Sequence, residues 1–199
     1  DLAEIDAMGT DAFRTRAYRT VGDTATRFRF KVYRKGGAAA LADVMPILEH
    51  MGLKALIEDA FELAPLGDDG REVVWVHEFM LQDEQGEHLV FAEVKDAFEA
   101  AFTAVWTGQT ESDGFNRLVL ELGVSWREAA LIRALARYRQ QSGLDPSQLV
   151  QEQALSEHPG VARLILDLFR IKFDPAITVD MKAREGQAAS VMDEITTAL

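Results

Sequence analysis

The sequence predicts an α+β fold: a four-stranded antiparallel sheet with two helices comes first, and an all-helical segment follows. Two observations predict it. Residues 26–34 read TRFRFKVYR, in which Phe28, Phe30 and Val32 alternate with basic residues and a tyrosine, the period of two that is typical of a half-buried strand. Beyond Gly86, by contrast, the apolar residues recur at intervals of three and four, which is the spacing of amphipathic helices.

The first part has the order helix, strand, strand, helix, strand, strand. The predicted elements are a helix that ends at Gly9, strands at 13–19 and 27–34, a helix that ends at Gly52, and strands at 53–63 and 72–81 around a turn at 65–70. The second helix begins near Ala42 or Asp43, because Pro46 is tolerated only in a first turn. A cyclic shift of this order gives the βαββαβ pattern of ferredoxin-like and ACT-type domains. We therefore expect both helices on one face of a permuted sheet of this type.

The helical part contains several sequence signals for helix ends. Ser112 and Asp113 cap a short helix that runs to Leu122, and Ser125 with Glu128 forms a capping box. Further predicted helices are one over 90–106, one that begins at Pro146 after a cap at Asp145, one that begins at Pro159, and a polar tail over 177–199. We therefore predict an ACT-type domain over residues 1–86, a helical motif over 87–175 and a helical connector over 176–199.

The composition excludes several classes of site. The 199 residues include no cysteine, so disulfides, thiol nucleophiles and thiolate metal sites are excluded. The chain shows no signal-peptide pattern and no apolar run of about 20 residues, so we expect a cytoplasmic protein with no membrane partner. The net charge is −12, which opposes binding to phosphate backbones.

Positive charge is concentrated in the first hairpin. Residues 11–35 include eight basic and only two acidic residues. Basic side chains interleaved with Tyr18 and Tyr33 would share the open face of the sheet, as in an RNA-binding surface. The second hairpin, however, offers acidic partners on the corresponding face, namely Glu58, Glu62, Glu72 and Glu78. Pairing within the sheet, or docking on an acidic neighbouring domain, explains the charge, so no nucleic acid is expected; an RNA-binding module stays a less favoured alternative.

No catalytic or metal-binding constellation is present in the sequence. The four histidines have no metal-ligand spacing, and His77 and Glu78 point to opposite faces of their strand, so we interpret all four histidines as surface or partly buried polar residues. There is no G-x-G-x-x-G fingerprint and no G-x-S-x-G elbow. We therefore predict no catalytic, cofactor-binding or metal-binding residues.

Three stretches of the chain resemble a known family. They are ESDGFNRLVLELGVSWREAALIRALARYRQ (111–140), FRFKVYRKGGAAALADVMPILEHMGLKALIEDAFEL (28–63) and VWVHEF (74–79). They resemble the long N-terminal regulatory part of the very large bacterial NAD-dependent glutamate dehydrogenases, in which ACT-type domains and helical motifs precede the catalytic domain. The resemblance runs from about residue 1 to residue 175.

The resemblance implies a parent enzyme that deaminates L-glutamate oxidatively with NAD. This chain would be a non-catalytic regulatory and assembly segment with no cofactor of its own, and its partners would be other domains and subunits of a homo-oligomeric parent. An autonomous ACT-type module that senses an amino acid is the alternative. In ACT domains the turn formed here by Gly36, Gly37 and Ala38 often lies near an effector site, which makes it the candidate effector turn. Asn116, Arg117 and Trp126 lie in the best-matching stretch without an assigned role.

Overall fold

A computed structural model of the chain describes residues 1–9, 12–64, 72–84, 90–144 and 147–198. Its sheet has the order β1-β2-β4-β3, with every neighbouring pair antiparallel. The strands are β1 (Phe13–Tyr18), β2 (Arg27–Lys35), β3 (Leu53–Leu63) and β4 (Val74–Asp83). This is the strand order that a cyclically shifted βαββαβ unit gives. The predicted α+β class and four-stranded antiparallel sheet are confirmed.

The chain divides into two compact units, Asp1–Trp126 and Arg127–Leu199. The first unit contains the sheet and the helices α1 (Leu2–Met8), α2 (Leu41–His50), α3 (Phe91–Trp106) and α4 (Leu118–Leu122), with a 3-10 helix at Gly114–Arg117. The remaining helices are α5 (Trp126–Gln141), whose first residue closes the first unit, and α6 (Gln148–Glu157), α7 (Pro159–Phe173) and α8 (Met181–Ala198). Among the described residues, none of the helices combines the length and apolarity that crossing a membrane requires.

One face of the sheet is covered by α2 and α3. Phe28 and Phe30 of β2 pack edge to face on Phe98 of α3, with ring centroids 5.3 and 4.9 Å apart. Phe98 is 1% exposed, and α2 contacts both β3 and α3. Edge-to-face pairs of this kind contribute about 0.5–1.5 kcal/mol each beyond the burial of their area. The main core of the first unit therefore lies between this face and the two helices.

The first helix lies on the opposite face, where the sequence analysis did not place it. Met8 and Ile5 of α1 pack on Tyr33 of β2, which alternates with Phe30 and points away from the main core. The helix that shares the core face with α2 is α3. The expectation that α1 and α2 would cover one face together was wrong, because periodicity shows which residues are apolar but not which side of the sheet a helix occupies. α3 also lies beyond residue 86, the predicted end of the ACT-type domain; the predicted boundaries at 86 and 175 stay predictions.

A β-bulge in β3 changes the faces of its acidic residues. The pairing of β3 with β4 shifts register between Ala55 and Ile57. As a result Glu58 and Glu62 lie on the same side as His77 and Trp75, which is the helix-covered side. Their expected position on the open face was therefore wrong, since an extra residue reverses the alternation that the sequence suggests. Glu78, on β4, does lie on the open face.

Several predicted helix ends are present. Asp113 accepts a hydrogen bond from the Phe115 N–H at 3.2 Å and so caps the 3-10 helix, and Gly123 ends α4 with φ +64°. α7 begins at Pro159, as predicted, and α5 begins at Trp126, directly after Ser125. Two details differ. α2 begins at Leu41 and keeps Pro46 in its interior, and α6 is capped by Ser147, one residue after the predicted Asp145–Pro146 start, which lies outside the described residues.

Candidate functional site

The candidate effector turn joins the end of β2 to the start of α2. Gly36 has φ +78°, a conformation that favours glycine because in other residues the Cβ would clash with the residue's own backbone. A Cβ built on Gly36 or Gly37 would meet no atom within 4 Å, so the turn faces open space. Arg34 Nη1 donates to the Ala38 carbonyl at 2.7 Å and fixes the far side of the turn. The glycine at position 36 thus serves backbone conformation and not close packing.

A buried histidine holds the chain immediately after this turn. The Ala39 N–H donates to His77 Nε2 at 3.0 Å, so Nε2 is unprotonated and the ring proton lies on Nδ1. That nitrogen is 2.8 Å from Glu58 Oε1 and donates to it. His77 is 3% exposed, and its interpretation as a surface or partly buried residue was wrong. Its position two residues before Phe79 on a strand was a signal for burial on the apolar side.

The start of α2 offers backbone donors beside the turn. Its N-cap residue is Ala40, which has an extended conformation and no side chain that accepts from the helix. The first N–H groups of a helix lack partners within the helix and carry the positive end of its dipole. The turn and the start of α2 can therefore offer hydrogen bonds to a small anionic group such as a carboxylate.

The open face of the sheet carries a network of charges centred on Glu78. Tyr18 Oη donates to Glu78 at 2.5 Å, Arg29 Nη1 lies 3.2 Å from the same carboxylate oxygen, and Lys31 Nζ lies 3.3 Å from the other oxygen. Burial opposes ionisation of Glu78, but the hydrogen bonds from Tyr18 and Arg29 and the charge of Lys31 outweigh it and lower its pKa. Burial and the hydrogen bond to Glu78 raise the pKa of Tyr18. The network therefore favours an ionised Glu78 beside a neutral tyrosine.

Residues of α1 and the first hairpin extend this network. Arg14 and Arg16 both pair with Glu4 of α1, at 2.6 and 3.4 Å, and the hydrogen bond from Arg14 lowers the pKa of Glu4. Asp1 accepts from Lys31 at 2.7 Å and from the Tyr33 hydroxyl at 2.9 Å. Burial raises the pKa of Tyr33 to about 12. Four basic residues of the hairpin thus have acidic partners within the chain, namely Arg14, Arg16, Arg29 and Lys31. These contacts favour packing as their role.

Two of the clefts that the described residues form border the sheet. One, of about 460 Å³, runs along β1 and α3 and is lined by charged side chains that include Arg14, Lys95, Glu4 and Glu99. The other, of about 300 Å³, lies beside the start of β3. The candidate effector turn lines neither of these two clefts.

Asn116, Arg117 and Trp126, the unassigned residues of the best-matching stretch, occupy positions that explain them structurally. Asn116 is buried and donates to the Glu111 carbonyl at 3.0 Å. Arg117 forms ion pairs with Glu84 and Glu121 and lies over Gly52, where a Cβ would be only 3.0 Å from Arg117 Nε. Trp126 is the first residue of α5.

The other histidines show no ligand cluster. His50 Nδ1 is 2.8 Å from the Ser112 hydroxyl, His158 precedes α7, and His88 lies outside the described residues. Within the described ranges, no group of three or more histidine, aspartate or glutamate side chains is arranged to hold a metal ion.

Comparison with known proteins matches both parts of the chain. Residues 12–94 match the family described as the glutamate dehydrogenase ACT3 domain, and residues 110–175 match glutamate dehydrogenase helical motif 3. Proteins named NAD-specific glutamate dehydrogenase are similar over most of the chain. The protein from Halomonas elongata is 30% identical over 181 residues, which are 89% of this chain and 11% of the relative.

Two further relatives carry the same name. That of Mycobacterium tuberculosis is 34% identical over 160 residues, 78% of this chain and 10% of the relative, and that of Pseudomonas aeruginosa is 34% identical over 156 residues, 78% of this chain and 9% of the relative. The chain therefore spans about a tenth of the length of these relatives. Two neighbouring family matches and these relatives together identify the chain as an ACT3 domain and helical motif 3 segment of the NAD-specific glutamate dehydrogenase family.

Proposed function

We propose that this chain is a non-catalytic regulatory and assembly segment of an NAD-dependent glutamate dehydrogenase. The parent enzyme would convert L-glutamate, NAD⁺ and water to 2-oxoglutarate, ammonium, NADH and a proton. The observation that carries the proposal is the pair of adjacent family matches within a chain that spans only about a tenth of its relatives. Most of the relatives' length, in which an active site would lie, has no counterpart here.

The chemistry of the residues supports a non-catalytic role. Hydride transfer to NAD requires a site for the dinucleotide, and the sequence has no glycine-rich dinucleotide fingerprint. The strongest side-chain cluster, around Glu78, is occupied by contacts among Tyr18, Arg29 and Lys31. We therefore assign no cofactor to this segment and NAD to the parent enzyme, whose other domains and subunits would be the partners of this chain.

The helical unit offers surface for such partners. Its exposed large apolar side chains include Tyr138, Leu149, Phe173 and Met181. Where exposed apolar residues form a contiguous patch, they mark a surface that contacts other domains or subunits. A homo-oligomeric parent in the cytoplasm is part of the same proposal.

The proposal is tested with the isolated chain and with the parent enzyme. Purified chain with glutamate and NAD should produce no NADH above background, while the parent does. Deletion of residues 12–175 from the parent should change its oligomeric state or its response to effectors. NADH formation by the isolated chain would overturn the non-catalytic assignment, and a deletion that alters neither property would overturn the regulatory one.

A second candidate function is amino-acid sensing at the turn of Gly36, Gly37 and Ala38. The open turn beside the uncapped start of α2 favours it, because an amino acid's carboxylate would find backbone donors there. Calorimetric titration of the chain with a panel of free amino acids should give saturating heats that Gly36→Val removes and Gly22→Ala, in the distant hairpin turn, does not. Absence of binding up to millimolar concentrations would rule out sensing and leave the assembly role.

A further inference from the structure

The two edges of the sheet differ in how their backbones are covered. β1 has six residues, carries Arg14 and Arg16, and has its Ala17 N–H bonded to Glu99 of α3 at 2.5 Å. Short, charged and covered edges are protected from pairing with other strands. β3, at the other edge, has eleven residues. Its exposed large apolar side chains are 38–51% accessible and are Leu56, Ile57, Phe61 and Leu63.

The register shows which backbone groups of β3 point outward. In antiparallel strands, successive residues direct their N–H and C=O groups alternately to the two sides. The backbone N–H of Ala17 is directed away from β2, towards Glu99. The backbone groups of its partner Phe30 are therefore directed towards β4, where they form hydrogen bonds with Phe79. The backbone groups of Phe79 are consequently directed away from β3. Its partner Glu58 therefore directs its N–H and C=O away from the sheet.

Ala60 and Glu62 follow Glu58 at intervals of two and direct their backbone groups outward as well. Their side chains lie on the helix-covered side of the sheet, with Glu58. The alternate residues Ile57, Asp59 and Phe61 lie on the other side. A strand that paired with this edge would meet the carboxylates of Glu58 and Glu62 on one side. On the other side it would meet the apolar side chains of Ile57 and Phe61, with Asp59 between them.

We propose that the edge of β3 receives an extended strand from another part of the parent protein, with Lys or Arg on one side and apolar residues on the other. This mode of binding combines main-chain hydrogen bonds with side-chain specificity. β3 contains the acidic residues Glu58, Asp59 and Glu62 and the single basic residue Lys54, so charge complementarity favours a basic strand. The inference rests on the proposed function, since the partner belongs to the roughly nine-tenths of the relatives that this chain does not match.

A second copy of the chain fits this edge less well. Pairing of β3 with β3 would place acidic residues beside acidic residues, which destabilises a sheet. Pairing of β3 with the β1 edge of another copy would require the Ala17 N–H, which is bonded to Glu99. These two observations are the reason for assigning the edge to a different strand.

Hydrogen exchange measured by mass spectrometry on the isolated chain and on the parent enzyme tests the inference. Peptides covering residues 53–63 should exchange at least roughly tenfold more slowly in the parent. Peptides covering β1 serve as the control and should change little. Equal exchange of β3 in both proteins would overturn the inference. Protection that appears in the isolated chain as its concentration rises would assign the edge to a second copy and would also overturn it.

A proline variant of the parent gives a sharper test. Ala60→Pro removes an outward N–H and leaves the β3–β4 hydrogen bonds in place, because proline is tolerated on edge strands where the N–H faces outward. We expect it to remove the protection of residues 53–63, whereas Ala60→Ser keeps both the N–H and the protection. If Ala60→Pro does not fold, the charge reversal Glu62→Lys replaces it and should reduce the protection. Protection that survives the folded proline variant, or the charge reversal, contradicts the inference.

The reading frame separates this inference from the proposed function. A frame that ends at Leu199 would remove the parent enzyme and overturn both. A long frame with unprotected β3 would overturn the edge inference alone and leave the regulatory proposal intact.

Discussion

The two faces of the sheet are held by different forces, although the same strands build both. Towards α3, the rings of Phe28, Phe30 and Phe98 pack without charge. Towards α1, Glu78 joins Tyr18 and basic residues in a network of hydrogen bonds and ion pairs. Burial of apolar area involves no charge that salt can screen or pH can titrate, whereas partly exposed ion pairs weaken as salt screens them. The two faces should therefore respond differently to the same perturbations.

The largest effect is expected on the aromatic face. Phe98→Ala should lower the free energy of unfolding by about 3–5 kcal/mol, because it leaves a cavity among the buried rings of Phe28, Phe30 and Phe102. Phe61→Ala is the matched control. Because Phe61 is 50% exposed, this variant should lose far less free energy of unfolding. Urea unfolding measures both. Equal losses for the two variants would show that the rings do not form the main core.

The next largest effect is a loss of stability at alkaline pH, which is expected on the face towards α1. Burial raises the pKa of Tyr33 from 10.0 to about 12, so its neutral form stabilises the fold fully below pH 10. That stability is lost as pH rises towards 12, by roughly 2–3 kcal/mol from the linkage relation. Tyr33→Phe has no ionisable group there and should not show this part of the decline. Identical pH profiles between pH 9 and 12 would contradict burial of this hydroxyl.

A charge reversal on the network should have a smaller effect that depends on salt. Arg29→Glu would place a carboxylate beside Asp23 and Glu78, both of which Arg29 now contacts. We expect a loss of roughly 1–2 kcal/mol at low salt that shrinks at 1 M salt. Arg29→Gln adds no negative charge, so it should lower the free energy of unfolding by less. If Arg29→Glu instead leaves stability unchanged and abolishes a salt-dependent affinity for RNA, the face is a recognition surface and the packing interpretation is wrong.

The smallest effect concerns the start of α5. Ser125 directly precedes α5, so Ser125→Ala should lower stability by about 1 kcal/mol through loss of a cap. Ser125→Asp keeps an acceptor and should retain most of the stability. Urea midpoints that do not differ between the original protein and the alanine variant would show that Ser125 does not cap α5.

The sequence predicted some of these features and missed others for definite reasons. Alternation around Phe28 and Phe30 identified the core face of β2, because a strand's side chains reverse at every residue. The bulge after Ala55 changed the face of Glu58, and no local pattern marked it. The position of α1 depends on tertiary packing, so helical periodicity alone placed it on the wrong face. The candidate effector turn was predicted as a turn, but whether a ligand binds there stays a prediction.

The contact between Arg117 and Gly52 links two modules that family comparison separates. Gly52 and Glu84 belong to the segment matched as ACT3, and Arg117 belongs to the segment matched as helical motif 3. A side chain at position 52 would displace the guanidinium that joins them. The two modules should therefore be inherited as one unit. Among homologous sequences, loss of the arginine and loss of the glycine should occur in the same lineages.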